Sequence, residues 1–364
     1  MTPYTTADDE LQELQDRLWS AAVDRDEFAA AGLVFAALDN GMDAESVLLD
    51  VIAPVQMRVG TEWAANRITV AQEHAASAIA ERVVAAVAHR PSSRTTPHLG
   101  RVTVACVEQE WHVLPARLLA EVLTLRGWEV DFLGAQVPTP HLVAHLHRAG
   151  ADVVALSSSI PTRLPAAHGA ITACQSVGVP VLVGGAAFGS DGRYARLLGA
   201  DVWAPDARTA AQKLADGIAA PNLAAGRLQI DDLPHLSDQE YTLVTRSQEQ
   251  LVKQVLTQME ERFPAMAAYS DQQRQRTAED IAHIVEFLTV ALYVDDDDLF
   301  TNFMTWTAGI LTARDVSARS LHPALGILAA ELNEFPRSTR LLDQARLALD
   351  STAAAGGRHP GALT

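Results

Sequence analysis

Apolar positions divide the chain into a helical N-terminal third, an alternating middle and a helical C-terminal third. Residues 8–90 are predicted to be helical throughout, and four helical segments joined by short loops favour a four-helix bundle. Asp43 is a predicted N-cap, and Thr69-Val70-Ala71-Gln72 is a predicted capping box that opens a helix to about Ala88. Apolar residues recur along that helix at helical spacing, at Ala76, Ile79, Val83 and Val87.

Residues 99–220 alternate between strand and helix signals. The strand signals cover 101–106, 129–133, 152–156, 180–184 and 201–203. Thr139 is a predicted N-cap with Pro140 at the first helical position. This alternation predicts a parallel, doubly wound sheet, whose ligands bind beyond the carboxyl ends of its strands. The loops expected at that edge are 108–115, 134–138, 157–162 and 184–189.

Two segments are predicted linkers, the Pro- and Ser-rich residues 89–97 and the residues 220–240. Residues 240–350 are predicted to form a separate all-helical domain, helical from about Gln248. Thr277 and one residue of the run Asp295–Asp298 are predicted helix starts. The Asp run lacks the ligand spacing and the glycine of an EF-hand loop, so a solvated helix start is the better interpretation.

Composition narrows the possible partners. The formal net charge of −17 argues against a nucleic acid or an anionic membrane as the main partner, because both favour basic patches. The sequence has no 18-residue apolar run and no signal-peptide pattern at its start, which predicts a soluble, cytoplasmic protein. Its two cysteines are too few for a disulfide framework or a cysteine-rich zinc site.

The strongest chemical signal is Glu110-Trp111-His112 directly after the first strand. A loop histidine at the carboxyl end of a strand is well placed to ligate a metal, and a nearby carboxylate can fix its tautomer. Taken alone, the pattern is also that of a solvated loop histidine.

The middle domain resembles the cobalamin-binding domain of the flavodoxin-like class, whose fingerprint is Asp-x-His-x-x-Gly, then Ser-x-Leu, then Gly-Gly. The corresponding residues are 110–115, 157–159 and Gly184-Gly185, with Glu110, Pro115 and Ser159 as departures. The resemblance implies that His112 coordinates cobalt from below, that Glu110 accepts a hydrogen bond from the imidazole, and that Ser157 supports that carboxylate. The glycine pair would leave a slot for the displaced nucleotide tail; an ordinary Rossmann-like turn is the alternative.

In the bundle, Trp63 is followed after nine residues by Glu73-His74. This pattern and its flanking residues resemble the cap of adenosylcobalamin photoreceptors, the family that includes bacterial carotenoid-gene repressors. The resemblance implies that Trp63 lies over the upper adenosyl group, that Glu73 hydrogen-bonds it, and that His74 is a candidate cobalt ligand after light breaks the Co–C bond. The alternative is that Trp63 is bundle core and that Glu73-His74 is a solvated helix start.

The order of bundle, cobalamin domain and helical domain resembles the photocobilins, which hold a bilin in a globin-like C-terminal domain. By that resemblance, biliverdin or a similar bilin would bind noncovalently, with His283 facing the pyrrole nitrogens and Arg314, Arg319 and His322 meeting the propionates. The aromatic residues expected to line the cleft are Phe287, Tyr293, Phe300, Phe303 and Trp306. Plain helical core and surface histidines are the alternatives.

We therefore expect a cytoplasmic light sensor that is not an enzyme, with cobalamin between the bundle and the α/β domain. Light is expected to change its homo-oligomeric assembly or its contact with an unknown protein partner. The related repressors begin with a basic DNA reader, whereas this sequence begins at the acidic bundle, so DNA binding is not the expected output. The rivals are a corrinoid methyl carrier for a methyltransferase, and a cobalamin sensor or storage module with a purely structural C-terminal domain.

Overall fold

The computed structural model describes residues 7–90, 96–219 and 233–356. Contacts between residues divide the chain into two compact units, Met1–Leu228 and Gln229–Thr364. The first unit contains the predicted bundle and the predicted α/β domain, and the second contains the predicted helical domain. None of the helices in the described ranges combines the length and apolarity needed to span a bilayer.

The bundle prediction is confirmed. Its helical segments are α1 (Ala7–Val23), α2 (Glu27–Asp39), a continuous run of α3 (Ala44–Ser46), a π-helix (Val47–Ile52) and α4 (Ala53–Ala64), and finally α5 (Val70–Ala88). Asp43 accepts a hydrogen bond from the Ser46 amide at 3.0 Å, as an N-cap should. The capping box is also present, because Thr69 and Gln72 each accept from the other's backbone amide.

The described part of the middle region holds a five-stranded parallel sheet in the order β2-β1-β3-β4-β5, which is the flavodoxin-like order. The strands lie within one residue of their predicted bounds, at β1 (Arg101–Cys106), β2 (Glu129–Gly134), β3 (Val153–Ser157), β4 (Val181–Gly184) and β5 (Val202–Ala204). β1, β3 and β4 carry runs of apolar side chains because helices cover both faces of such a sheet.

The helices around the sheet are α6 (Leu114–Leu125), α7 (Thr139–Ala149), α8 (Leu164–Ser176), α9 (Arg193–Leu197) and α10 (Ala207–Ala215). The N-cap assigned to Thr139 was wrong. Thr139 is the first helical residue and Pro138 occupies the cap position with extended backbone, so the helix begins one residue earlier than its Pro140 suggested.

Bundle and sheet are not independent bodies, because one hydrophobic cluster runs through both. It joins Val47 and Leu48 of the π-helix to apolar residues of α6, including Leu118. Two ion pairs also link the bundle to the α/β domain. Arg126 donates two hydrogen bonds to Glu45 at 2.7 and 2.9 Å, and Arg208 donates two to Asp50 at 2.7 and 2.8 Å.

The second unit is helical throughout its described residues, which confirms that part of the prediction; its likeness to a globin stays a prediction. Its helices are α11 (Glu240–Arg246), α12 (Gln248–Arg262), α13 (Asp271–Val294), α14 (Asp297–Ala313), α15 (His322–Glu331) and α16 (Pro336–Gly356). The helix start predicted within the run Asp295–Asp298 is confirmed, and the structure identifies Asp296 as the N-cap of α14. The start assigned to Thr277 was wrong. Ser270 caps α13 with a full capping box, and the Thr277 hydroxyl donates instead to the carbonyl of Gln273.

Helical structure also begins before the predicted Gln248. Glu240, the first residue of α11, is buried and accepts hydrogen bonds from the amides of Arg337 and Ser338 and from the Ser338 hydroxyl, each at 2.9 Å. These donors lie in the first turn of α16, so Glu240 satisfies amide groups that have no partner within their helix. Part of the predicted linker is therefore a structural element of the second unit.

Candidate cofactor-binding site

The strand order reverses at β1. β2 lies on one side of β1, and the chain then crosses to the other side, where β3, β4 and β5 follow. Loops that follow the two strands at such a reversal open a crevice at the carboxyl edge of the sheet, where ligands of these folds bind. The loop after β1 carries Glu110 and His112, and the loop after β3 carries Ser158, Ser159 and Ile160. The two loops meet at the Glu110 carboxylate.

Glu110 is 1% exposed and accepts hydrogen bonds through both carboxylate oxygens. Oε1 lies 2.7 Å from Nδ1 of His112 and 2.8 Å from its backbone amide. Oε2 accepts from the amides of Ser159 at 2.7 Å and Ile160 at 3.1 Å, and from the Ser158 hydroxyl at 3.2 Å. A buried carboxylate needs such donors, and here they join the loop after β1 to the loop after β3.

The serine prediction was wrong by one position. Ser157 ends β3, pairs with Cys106 and Gly184 in the sheet, and its carbonyl accepts from the Val107 amide at 3.1 Å. Side chains alternate between faces along a strand, so the hydroxyl that reaches Glu110 belongs to the next residue, Ser158. Sequence patterns define the end of a strand only to within a residue or two, so they did not show which serine follows β3.

The electrostatics of the Glu110–His112 pair follow from these contacts. Burial alone would raise the pKa of Glu110, but hydrogen bonds from the His112 ring and from the amides of His112, Ser159 and Ile160 outweigh it and lower the pKa to about 2. The hydrogen bond to Glu110 raises the pKa of His112, burial opposes this, and the charges of Glu110 and Glu73 support it. Arg163, which donates to Gln109 at 2.9 Å, acts in the opposite sense.

This geometry fits an imidazole ligand to a metal. A carboxylate that accepts from Nδ1–H fixes the tautomer whose lone pair is on Nε2, which is the atom then able to coordinate cobalt. The His112 side chain is 56% exposed, although its carboxylate partner is buried, so the ring is held firmly and presented outward. Among the residues that the structure describes, no group of three or more His, Cys, Asp or Glu side chains is arranged to hold a metal ion.

The backbone departures from the cobalamin fingerprint are accommodated. Pro115 lies in the first turn of α6, where a missing N–H costs nothing. Gly185 has φ +98°, and a Cβ there would lie 2.2 Å from the carbonyl oxygen of Ser158. Only glycine fits, and its absence of a side chain lets the loop after β4 approach the loop that holds Glu110. Gly184 is less constrained, since its Cβ would lie 3.2 Å from the Ala204 oxygen.

On the bundle side, Trp63 is half-buried near the end of α4 and packs against a small cluster that includes Val59, Ile68 and Ala76. Glu73 lies in the first turn of α5, where its Oε2 is 2.6 Å from Nδ1 of His74. Its other oxygen accepts from the Ser77 hydroxyl at 3.0 Å. His74 itself is 75% exposed.

Sequence reasoning missed the polar chain behind Glu73. Gln56 of α4 donates to Ser77 at 2.5 Å, and Ser77 donates to Glu73. Ser77 is one turn after Glu73, which was a usable signal, but only the packing of α4 on α5 identifies Gln56. Because the Glu73 charge acts on the His112 ring, the first turn of α5 and the loop after β1 lie within electrostatic range of each other. The charge of Glu73 is therefore felt at the His112 ring, although no hydrogen bond joins the two described side chains.

The residues predicted to hold a bilin lie on several different elements of the second unit. His283 is exposed on α13, Arg319 is exposed in a 3₁₀ turn, Arg314 ends α14 and donates to the Ile310 carbonyl at 3.1 Å, and His322 lies 3.4 Å from Asp350. Arg314, Arg319 and His322 thus belong to one stretch of chain and His283 to another.

The aromatic side chains of this unit divide into two groups. Tyr293 and Phe300 are fully buried core residues rather than an open lining. Phe287 of α13 stacks on Phe303 of α14 with centroids 3.6 Å apart, and Trp306 lies 6.4 Å from Phe303 and is half exposed. Phe287, Phe303 and Trp306 therefore form an aromatic strip along the α13–α14 hairpin.

Comparison with known proteins agrees with the site in the first unit. Residues 100–215, which contain the sheet, match a family model described as a B12 binding domain. Residues 14–88, which cover the bundle except the first half of α1, match a second model with the same description.

Individual relatives divide into two groups. Dimethylamine corrinoid protein 2 of Methanosarcina acetivorans is 26% identical over 211 residues, 56% of this chain and 93% of the relative. The HTH-type transcriptional repressor CarA of Myxococcus xanthus is 31% identical over 186 residues, 48% of this chain and 59% of the repressor. A solved structure of the Methanosarcina barkeri monomethylamine corrinoid protein is 21% identical, with a TM-score of 0.49, and covers 56% of this chain and 98% of that one. The two family matches identify the helical bundle and the parallel α/β domain as B12-binding domains, so the chain is a corrinoid-binding protein.

Proposed function

We propose that this protein is a light sensor that binds adenosylcobalamin between the bundle and the sheet and is not itself an enzyme. The observation that carries the proposal is that Glu73, in the Trp63 to Glu73-His74 pattern, lies near enough to His112 for its charge to help raise the pKa of that ring. A methyl carrier would need its corrinoid accessible to a partner enzyme, whereas the carboxylate of Glu73 and the indole of Trp63 on the bundle side would suit a bulky ligand on the cobalt. The resemblance of the Trp63 to Glu73-His74 pattern to adenosylcobalamin photoreceptors supports the same assignment, as does the 31% identity to the transcriptional repressor CarA.

In this proposal each residue has a defined task. His112 supplies Nε2 to cobalt, and Glu110 holds its tautomer. Trp63 offers a flat apolar surface to the upper ligand, and Glu73 accepts a hydrogen bond from it. The bound group supplies one piece of chemistry, light-induced cleavage of its Co–C bond. His74, exposed beside Glu73, would be the imidazole on the bundle side able to bind the cobalt.

The output must be a change in the contact between bundle and sheet. Any rotation of the bundle has to disturb the cluster around Leu48 and the pairs Glu45–Arg126 and Asp50–Arg208. A shared core with a few ion pairs suits a two-position switch, because packed interfaces shift between discrete arrangements. We propose that this shift alters self-association or binding of a protein partner in the cytoplasm.

For the second unit we propose a noncovalent bilin, of which biliverdin is one example. Its support is the aromatic strip of Phe287, Phe303 and Trp306, together with His283 one turn before Phe287 and Arg314 at the end of the helix that carries Trp306. Arg319 would be a further cation for the propionates, and the His322 ring a further hydrogen-bond donor. Absorption of the full chain after co-expression with a biliverdin source tests this, since a new long-wavelength band is expected and its absence contradicts the proposal.

The alternative function is a corrinoid methyl carrier. It is favoured by one specific observation, the similarity to a dimethylamine corrinoid protein over 93% of that protein's length. Such a carrier would use His112 and Glu110 in the same way but would need neither the Glu73-His74 pair nor the second unit.

The deciding experiment compares absorption spectra of the adenosylcobalamin-loaded full chain before and after green light. A light sensor converts to a stable new spectrum, and His74→Ala changes only the illuminated spectrum. His112→Ala is expected to weaken cobalamin binding already in darkness. If light leaves the spectrum unchanged while a methyl donor and a reductant drive a cycle between cobalt states, the methyl carrier is the correct function.

A further inference from the structure

Helix α2 has an unusual outer surface. Residues 28–38 contain no polar side chain, although the helix lies at the edge of the bundle. Ala30 and Val34 face inward and are fully buried, whereas on the opposite side Phe28 is 92% exposed, and Ala29, Gly32 and Ala36 are exposed as well. A surface helix ordinarily turns polar residues outward, and a contiguous apolar surface of this kind marks an interaction site.

A groove accompanies this surface. It has a volume of about 650 Å³ and runs between α1 and α2. Its α2 side is apolar, with Ala29, Gly32, Leu33 and Ala36, and its α1 side carries Ala21 together with the polar residues Glu13, Asp16, Arg17 and Ser20. The small residues make it shallow enough for another helix to approach closely. Phe28 projects from the same side of α2, so a protruding ring and a groove able to receive it lie on one surface of one molecule.

We propose that this surface binds a second copy of the chain, with the α2 helices antiparallel about a two-fold axis at Gly32. In that register Phe28 of each copy lies against Ala36 of the other, beside the groove. Arg25 of each copy lies toward Asp39 of the other, which gives opposite charges at both ends of the contact. Asp39 also pairs with Arg90 of its own chain at 2.5 Å, so Arg25 would add a second cation to that carboxylate. A surface that contains both the projection and its complement is what a two-fold interface requires.

The other occupants are less suited. A bilayer surface is disfavoured by Asp24, Asp26 and Glu27, which border Phe28, and by the net charge of −17. The self-contact is modest in size, because a 13-residue helix is only about 20 Å long. We therefore expect a reversible dimer whose population depends on concentration. This inference does not depend on light sensing, since it is made from α1 and α2 alone.

Cysteine cross-linking tests the register. Both natural cysteines, Cys106 and Cys174, are buried, so an introduced surface thiol reacts alone. Gly32→Cys places the two thiols at the axis, within disulfide distance if the helices touch there. Gly309→Cys is the matched control, because a Cβ at Gly32 or Gly309 meets nothing within 4 Å and neither change should harm the fold. We expect Gly32→Cys to give covalent dimers under mild oxidation of the cobalamin-loaded full chain in darkness, and Gly309→Cys to give none.

Sedimentation of the same dark, loaded protein tests the surface without cross-linking. Gly32→Gln adds a good helix former, so it should raise the thermal midpoint while it weakens dimerisation at least about tenfold. Phe28→Ser should weaken it similarly. Equal cross-linking at positions 32 and 309, a wild-type chain that is monomeric at all concentrations, or a dimer insensitive to Gly32→Gln would each overturn the proposal. So would a monomeric chain that captures a different protein through the α2 surface.

Discussion

The substitution Glu110→Gln tests the central feature of the cobalamin site. It keeps the size of the side chain but replaces one acceptor oxygen with an NH₂ donor. Both oxygens are occupied, Oε1 by two groups of His112 and Oε2 by Ser158, Ser159 and Ile160. Whichever way the amide is oriented, its NH₂ group points at N–H or O–H groups that need an acceptor. At least two hydrogen bonds are therefore lost.

The expected magnitude follows from the pKa of Glu110, which is lowered from 4.5 to about 2. A difference of this size corresponds to about 3 kcal/mol of folding free energy at neutral pH. The sign is fixed by the direction: a carboxyl group with a lowered pKa stabilises the folded state above its unfolded pKa. That contribution is lost as pH falls from about 4.5 toward 2. Wild type and variant should therefore differ most near neutrality and converge in acid.

Tryptophan fluorescence during urea denaturation measures this difference, since five of the six tryptophans, Trp19, Trp63, Trp111, Trp128 and Trp203, lie in the first unit. Glu108→Gln is the matched control. Glu108 lies in the same loop but has only a 3.5 Å contact with the Thr139 amide, so we expect a change below about 1 kcal/mol. If Glu110→Gln is as stable as wild type at neutral pH, the carboxylate does not hold the two loops together.

Glu110→Gln should also change the ligand. An amide NH₂ that faces Nδ1 of His112 favours the tautomer with the proton on Nε2, which cannot coordinate cobalt. We expect the variant to lose the spectrum of histidine-ligated cobalamin even where the chain remains folded. An unchanged spectrum would contradict the assigned role of Glu110.

Three further predictions concern the same unit. Gly185→Ala should destabilise this unit by about 2–4 kcal/mol in thermal or urea unfolding. Gly150 also has a positive φ but lies in open space, so Gly150→Ala should cost only about 1 kcal/mol. Equal costs for the two variants would contradict the clash with Ser158. Because the pKa of His112 is raised above 6.5, its ligation of cobalt should weaken as pH falls through that raised value in a spectral titration from about pH 9 to pH 5, and a flat titration would contradict it. Arg208→Met should cost less than about 1 kcal/mol in stability yet speed any light-driven change measured by absorption, since the Asp50 pair is exposed but spans bundle and sheet; an unchanged rate would remove it from the switch.

The sequence by itself determined the features that depend on neighbouring residues. The capping box at Thr69, the five strands and the approach of Glu110 to His112 two residues later are all local, so periodicity and spacing were enough to predict them. The sequence also indicated the ligand class, because an E-x-H loop, a serine segment and Gly184-Gly185 occur in the right order. It failed at Thr139, Thr277 and Ser157, where a boundary is set by which backbone groups the rest of the fold satisfies.

Only the tertiary structure decided which distant groups meet. The tertiary structure determines that Ser158, not Ser157, donates the hydroxyl hydrogen bond to Glu110. It also places the Ser158 carbonyl against Gly185 and the charge of Glu73 within range of His112. It also showed that the apolar α2 helix has an exposed side rather than a fully buried position. Such contacts join residues tens of positions apart, and a one-dimensional pattern carries no distance between them; the shared core of bundle and sheet fixes those distances.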